Sequence, residues 1–168
     1  MILKGHAYLV GDDLNTDLII SGRYKFSISD IKELSKHILE DVDLNFYSRL
    51  KPGASMLVGG KNFGMGSSRE QAPLVIKEAG INCVVAKSFA RIFYRNAINI
   101  GLPLVEADTS KIKENDELDI DLEKGVLKNL AQNYQVKVLP LPKVMVKLLA
   151  DGGLVNHFKK YGKINLDV

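Results

Sequence analysis

Three apolar runs, at residues 54–58 (ASMLV), 81–86 (INCVVA) and 102–106 (LPLVE), alternate with two helical patterns over about residues 68–79 and 89–100. That order, strand–helix–strand–helix–strand, leaves few folds open. A helical crossover joins neighbouring strands in parallel, and such crossovers are right-handed in nearly all cases. The middle of the chain therefore predicts a parallel sheet flanked by helices. Strands covered on both faces read as continuous apolar runs rather than alternating ones, as 81–86 does.

The flanks add to this frame. Residues 2–10 (ILKGHAYLV) read as a strand that runs into the turn Gly11-Asp12-Asp13. Leu18-Ile19-Ile20 is a second short apolar piece, read as a strand ending at Ser21-Gly22, and Arg23-Tyr24-Lys25-Phe26 is a polar-aromatic loop. Ser29 or Asp30 is placed to cap a helix over about residues 30–40, where Ile31, Leu34, Ile38 and Leu39 form a helical stripe. After residue 106 the pattern changes to short strands at 117–121, 125–128 and 134–138. Pro140-Leu141-Pro142 interrupts the chain, an amphipathic helix follows at 143–150, and a short helix runs from Gly152-Gly153 to about residue 160. The expected class is α/β: one domain over residues 1–168, with a parallel central sheet and additional antiparallel strands.

Composition narrows the chemistry. The 23 basic and 20 acidic residues are spread along the chain, so no single-sign block marks a nucleic-acid-binding tract. No apolar run reaches the ~18 residues of a membrane span, and the first residues carry no secretory signal, so a soluble cytoplasmic protein is expected. Cys83 is the one cysteine, in a run that predicts a buried strand. A single thiol cannot hold an iron–sulfur cluster, which takes three or four thiolates. His6, His37 and His157 have no ligand spacing, so no metal is expected on this chain.

The segment richest in chemistry is Gly59-Gly60-Lys61-Asn62-Phe63-Gly64-Met65-Gly66-Ser67-Ser68-Arg69-Glu70. Its glycines permit close approach of a ligand to the backbone, and a helix N-terminus predicted at about 68 would offer free N–H groups. Arg69 adds a guanidinium that grips a carboxylate with two parallel bonds. A Walker loop needs Lys after the last glycine, where Ser67 stands, and a dinucleotide fingerprint needs Gly where Arg69 stands. The residues alone thus point to a carboxylate or phosphate site. The alternative is that Ser67 and Ser68 merely cap the helix, with Arg69 on the surface.

The run from Asn62 to Glu70, followed by Ala86-Lys87-Ser88-Phe89-Ala90-Arg91-Ile92, resembles the swivelling domain of the aconitase superfamily. Phe89 to Gly101 and the early Gly11-Asp12-Asp13-Leu14-Asn15-Thr16-Asp17 are similar to the separate small subunits of isopropylmalate dehydratase and homoaconitase. The resemblance covers nearly the whole chain. It implies a swivelling-type β/β/α domain and a hydro-lyase that removes and re-adds water across a hydroxy-di- or tricarboxylate. It implies a large-subunit partner that holds a [4Fe–4S] cluster, with no cofactor on this chain and a small dicarboxylate as substrate. Ser67 matches the catalytic base; Ser68 and Arg69 match residues that hold substrate carboxylates. Thr16 and Asp17 match a Thr-Asp pair read as supporting, with Gly64 and Gly66 shaping the loop. Residues 21–27 resemble a specificity loop, so Arg23, Tyr24, Lys25 and Phe26 are candidates to meet the substrate's variable group. An apolar Phe26 suits an isopropyl group rather than an extra carboxylate, although Arg23 or Lys25 could swing in. A homoaconitase or methylmalate-type dehydratase and a non-catalytic scaffold subunit stay open beside the isopropylmalate reading.

Overall fold

The computed structural model describes residues 1–164 except Phe26 and Ser68; the side chain of Lys25 lies outside the described set as well. The chain runs β1 (Ile2–Gly11), α1 (Thr16–Ile19), α2 (Gly22–Lys25), α3 (Ile31–Ser35), α4 (Phe46–Arg49), β2 (Ser55–Gly59), α5 (Gln71–Glu78), β3 (Ile81–Ala86), α6 (Arg91–Asn99) and β4 (Leu104–Glu106). It continues through β5 (Glu117–Asp121), β6 (Val126–Asn129), β7 (Tyr134–Lys137), α7 (Lys143–Ala150) and α8 (Leu154–Tyr161).

The seven strands form one sheet in the order β4-β3-β2-β1-β5-β6-β7. The β1–β2, β2–β3 and β3–β4 pairs are parallel. The β1–β5, β5–β6 and β6–β7 pairs are antiparallel. β1 is the seam: His6 faces Ser55 across the parallel pair, and Gly5 faces Leu118 across the antiparallel one. The expected mixed α/β class, with a parallel centre and added antiparallel strands, is what the chain adopts.

Side-chain alternation along the strands divides the interior in two. Tyr8, Leu57 and Val84 point to one face, where they meet Ala72, Val75 and Ile76 of α5 and Phe93 and Ala97 of α6. Ala7, Met56, Val58, Cys83 and Val85 point to the other, against Leu118, Ile120 and Leu127 of the antiparallel strands and Leu149 of α7. Burying each of these large aliphatic side chains contributes about 1.5–3 kcal/mol relative to exposure. Cys83 is fully buried, and burial pushes its thiol pKa far above the ordinary range.

Four expectations need correction. Leu18-Ile19-Ile20 is not a strand: Thr16–Ile19 is a helical turn, because Asn15 accepts a hydrogen bond from the Asp17 amide at 2.9 Å and caps it. Residues 22–25 form a one-turn helix rather than a loop. The helix expected over 30–40 stops at Ser35, although Asp30 caps it as expected through the Lys32 and Glu33 amides. Beyond it Leu39 takes a positive φ of 53° and donates its amide to the Ile19 carbonyl, a tertiary bond no helix could make. The helix expected from 68 starts at Gln71. Pro73 sets that start: it has no amide hydrogen and its ring would clash with the carbonyl of residue 69 in a longer helix, so it is tolerated only in the first turn. The turn Phe46–Arg49 was absent from the sequence-based expectation. Among the described residues no helix is long and apolar enough to cross a membrane.

Candidate active site

The four parallel strands β1 to β4 point the same way, so the loops that follow β1, β2 and β3 gather along one edge of the sheet. There the Gly11–Asp17 segment and the Gly-rich segment are laced together. Gly60 N–H donates to the Gly11 carbonyl, Asp13 N–H to Lys61, Gly64 N–H to Leu14 and Thr16 N–H to Met65, at 2.7–2.9 Å. Asn62 Nδ2 donates to Asp13 Oδ1 at 3.1 Å. The third loop closes from the other side: Phe63 N–H donates to Ser88 and Ala90 N–H to Phe63, both at 2.9 Å. Phe63 lies fully buried beneath, with Phe89 at 5.8 Å and Phe93 at 5.2 Å between ring centroids.

Two glycines make this lacing possible. Gly64 has φ +78° and packs so closely on the Phe93 ring that a Cβ would overlap it. Gly66 has φ +99°, and a Cβ there would collide with the Asn15 side-chain amide. L-residues other than glycine rarely take such angles, and neither position has room for a side chain. Gly64 and Gly66 thus shape the loop.

Ser67 stands at the surface on the last turn of this loop. Thr16, buried to 2% exposure, donates its hydroxyl to the Ser67 carbonyl at 3.1 Å and fixes the backbone beneath the serine side chain. Arg69 Nε donates to Ser67 Oγ at 3.1 Å. Arg69 Nη1 donates to the Ile20 carbonyl at 3.0 Å, and Nη2 pairs with Asp17 Oδ1 at 2.9 Å. A guanidinium has five N–H donors, so three partners leave two for a ligand. The Arg69 side chain is only 18% exposed, whereas that of Asp17 is 52% exposed. Arg69 is thus an inner group held by an outer carboxylate. It is not part of helix α5: the late start set by Pro73 leaves it free to turn toward Asp17. The expectation that Ser67 and Arg69 sit at a helix N-terminus is therefore corrected. The fixed charge beside Ser67 Oγ is the guanidinium, not the macrodipole.

Chemically, an arginine on a serine oxygen favours the alkoxide over the neutral hydroxyl, because the developing negative charge meets a preorganised donor. The same guanidinium retains donors for a carboxylate. Ser68 and Phe26 lie outside the described residues.

The specificity-loop candidates form a second group beside the first. A Cβ on Gly22 would stand 3.5 Å from Arg69 Nη2, so the α2 turn abuts the arginine. Tyr24 stacks on His37 with centroids 3.9 Å apart, and His37 Nδ1 lies 2.6 Å from Glu40 Oε2. A hydrogen bond to Glu40 raises the Tyr24 phenol above its ordinary pKa; the same carboxyl is held below its own, chiefly by the His37 hydrogen bond. Arg23 forms an ion pair with Asp41. His37, Glu40 and Asp41 were not singled out in the sequence. They follow a helix pattern that ends early, and no spacing rule links them to residues 23 and 24. Asn15 was missed too, although an Asn two residues before an Asp at a helix start is a readable cap signal.

The chain does not fit an iron–sulfur cluster of its own. Its one thiol is buried in β3 away from this edge, and among the described residues no three His, Cys, Asp or Glu side chains converge on a metal-sized site.

Comparison with known proteins places the chain in a family. Residues 23–109 match the family model of the aconitase C-terminal domain. The chain is 52% identical to the 3-isopropylmalate dehydratase small subunit 2 of Archaeoglobus fulgidus, over 99% of this chain and 100% of that one. It is 48% identical to a 3-isopropylmalate dehydratase small subunit of Thermotoga maritima, over 96% and 97%. The crystal structure of a Methanocaldococcus jannaschii 3-isopropylmalate dehydratase chain superposes with a TM-score of 0.90 at 47% identity, covering 96% of each. Thermococcus kodakaraensis aconitase X shares the fold at a TM-score of 0.51 and 16% identity, over 83% of this chain and 91% of that one. The chain therefore belongs to the family of 3-isopropylmalate dehydratase small subunits, built on the aconitase C-terminal domain.

Proposed function

We propose that this chain is the small subunit of a two-subunit hydro-lyase that interconverts 2- and 3-isopropylmalate by loss and re-addition of water, a step of leucine biosynthesis in the cytoplasm. One observation carries the reading: a surface serine at the end of a tightly laced Gly-rich loop accepts a hydrogen bond from a half-buried arginine that has donors to spare. In this reading Ser67 Oγ, as alkoxide, takes the proton from the carbon next to a substrate carboxylate, and the arginine offsets the charge it carries. Arg69 and Ser68 hold substrate carboxylates. Asp17 and Thr16 position Arg69 and the Ser67 backbone, and Gly64 and Gly66 keep the loop tight. Residues 1–168 act as one domain that closes over the substrate. The segment that carries Arg23, Tyr24, Lys25 and Phe26 covers the variable end.

The [4Fe–4S] cluster that such dehydrations use belongs, in this reading, to the large-subunit partner, and so does departure of the hydroxyl. The isolated chain should accordingly be colourless, inactive and free of cluster iron; stoichiometric iron on the purified chain would contradict that assignment. Neither nucleic acid nor membrane has a part. A scaffold subunit would not need an arginine aimed at an exposed serine, and the ion pair of Arg23 with Asp41 speaks against a site built for an extra carboxylate.

The test is reconstitution with the large subunit and assay on isopropylmalate, homocitrate-type and citraconate-type substrates. The largest kcat/KM is expected for isopropylmalate. Preference for either of the others would replace this reading with a homoaconitase or methylmalate-type one.

A further inference from the structure

Arg23 lies where it could undo the preference for an apolar substrate. Gly22 abuts Arg69, and the Cα of Arg23 is only about 3.8 Å further along the chain. A guanidinium that turned toward Arg69 from there would present a bidentate grip to any extra carboxylate on the substrate. The structure holds it elsewhere. Arg23 Nη2 pairs with Asp41 Oδ1, and Arg23 Cζ lies 5.4 Å from the centroid of the Tyr24 ring. That ring is itself fixed by its stack on His37, whose Nδ1 meets Glu40. Residues 37–41 therefore form a rail along which the side chains of Arg23 and Tyr24 are laid.

We propose that Asp41 is a specificity-determining positioning residue: by pairing with Arg23 it withdraws the one described cation of the α2 turn from the substrate's variable end and leaves that end apolar. The proposal rests on the reading of the α2 turn as the substrate's specificity element. It assigns to Asp41, on a different segment and in contact with no substrate, a share in rejecting hydroxy-tricarboxylates. The arginine and aspartate side chains are 62% and 33% exposed, so their pairing is a bias on Arg23 rather than a lock. Exposed ion pairs of this kind shift a population by roughly fivefold at most.

The experiment uses the reconstituted two-subunit enzyme and measures kcat/KM for isopropylmalate and for a homocitrate-type tricarboxylate. Four small subunits are compared: wild type, Asp41→Asn, Arg23→Gln and the double variant. Asp41→Asn keeps the side-chain size and removes the charge. It should raise the tricarboxylate-to-isopropylmalate ratio by roughly two- to fivefold, through a lower KM for the tricarboxylate. Arg23→Gln should remove that gain in the double variant, which damage to the fold would not do. An unchanged ratio in Asp41→Asn, or a gain that persists in the double variant, overturns the proposal while the wild-type preference for isopropylmalate still stands. Loss of that wild-type preference overturns the underlying reading, and this proposal with it.

Discussion

The two halves of the sheet use the same strand chemistry for different ends. In the parallel half, β1, β2 and β3 each lead into a loop at the same edge, and those loops carry every candidate catalytic group. In the antiparallel half, β5, β6 and β7 turn back on themselves within a few residues, and their side chains Leu118, Ile120 and Leu127 close the second core face. Parallel strands must return through crossovers, so their carboxyl ends are free for binding loops, while hairpins use up both ends on turns. The difference predicts that changes in the first half alter chemistry with little effect on stability, and changes in the second half do the opposite.

The sharpest way to break that division is Ser67→Ala. The side chain is exposed and its hydrogen bond from Arg69 Nε lies at the surface, so melting of the isolated chain should change little. Turnover of the reconstituted enzyme should fall by about 10²–10⁴, the usual worth of a positioned general base, while substrate still binds. Near-normal kcat would place the base elsewhere. The mirror test is Ile120→Ala in β5. Ile120 is fully buried, and its truncation should cost about 2–5 kcal/mol in denaturant unfolding. Activity per folded molecule should persist; a changed preference among substrates would show that the two halves are not separable.

Arg69→Lys sharpens the comparison within the site. Lysine keeps one charge but cannot serve Ser67 Oγ, the Ile20 carbonyl and Asp17 together. A binding role alone would raise KM only. With Nε on the serine oxygen, kcat should fall as well, for a combined loss in kcat/KM of roughly tenfold or more. A pure KM effect would mean that the guanidinium does not support the base.

How much of this was legible in the sequence follows the physics of each element. The strands 81–86 and 117–121 and the helix 143–150 fall at the expected boundaries, because apolar periodicity in a packed core leaves little choice. The segment between Thr16 and Leu39 was read less well. There a side-chain cap from Asn15 outweighed a three-residue apolar run, and a tertiary bond from Leu39 to Ile19 ended a helix that local pattern would continue. The Gly-rich loop was found by composition and Thr16-Asp17 by the family resemblance, but the contact between them was not read. That Asp17 would hold Arg69 follows from four backbone bonds between segments some fifty residues apart, and no local rule reads these. Two local signals were overlooked: the Asn15 cap, and Pro73, which forbids a helix start as early as residue 68.

The smallest expected effect lies at the far side of the second half, where α7 meets α8. Asp151 accepts from Lys160 Nζ at 2.7 Å and lies 2.8 Å from Nδ1 of His157, a histidine with no exposed surface. These partners, Lys160 first and His157 second, hold the Asp151 carboxyl below its ordinary pKa of 3.8. A carboxyl depressed by folding contributes stability that is present above its unfolded value and is lost as pH falls through the folded one. Asp151→Asn should therefore lower the Tm of the isolated chain at pH 7 by roughly 3–8 °C, the scale of one charged hydrogen-bond group in a chain this long. The gap between variant and wild type should narrow as the pH is taken below about 4. A gap that stays constant to pH 3 would mean that asparagine loses packing or geometry rather than charge. Neither outcome should move the ratio of specificity constants, because His157 and Lys160 belong to α8 and Asp151 ends α7, whereas the candidate site is built on the loops of the parallel half. If that ratio did move, the antiparallel half and its helices would have to be counted with the site.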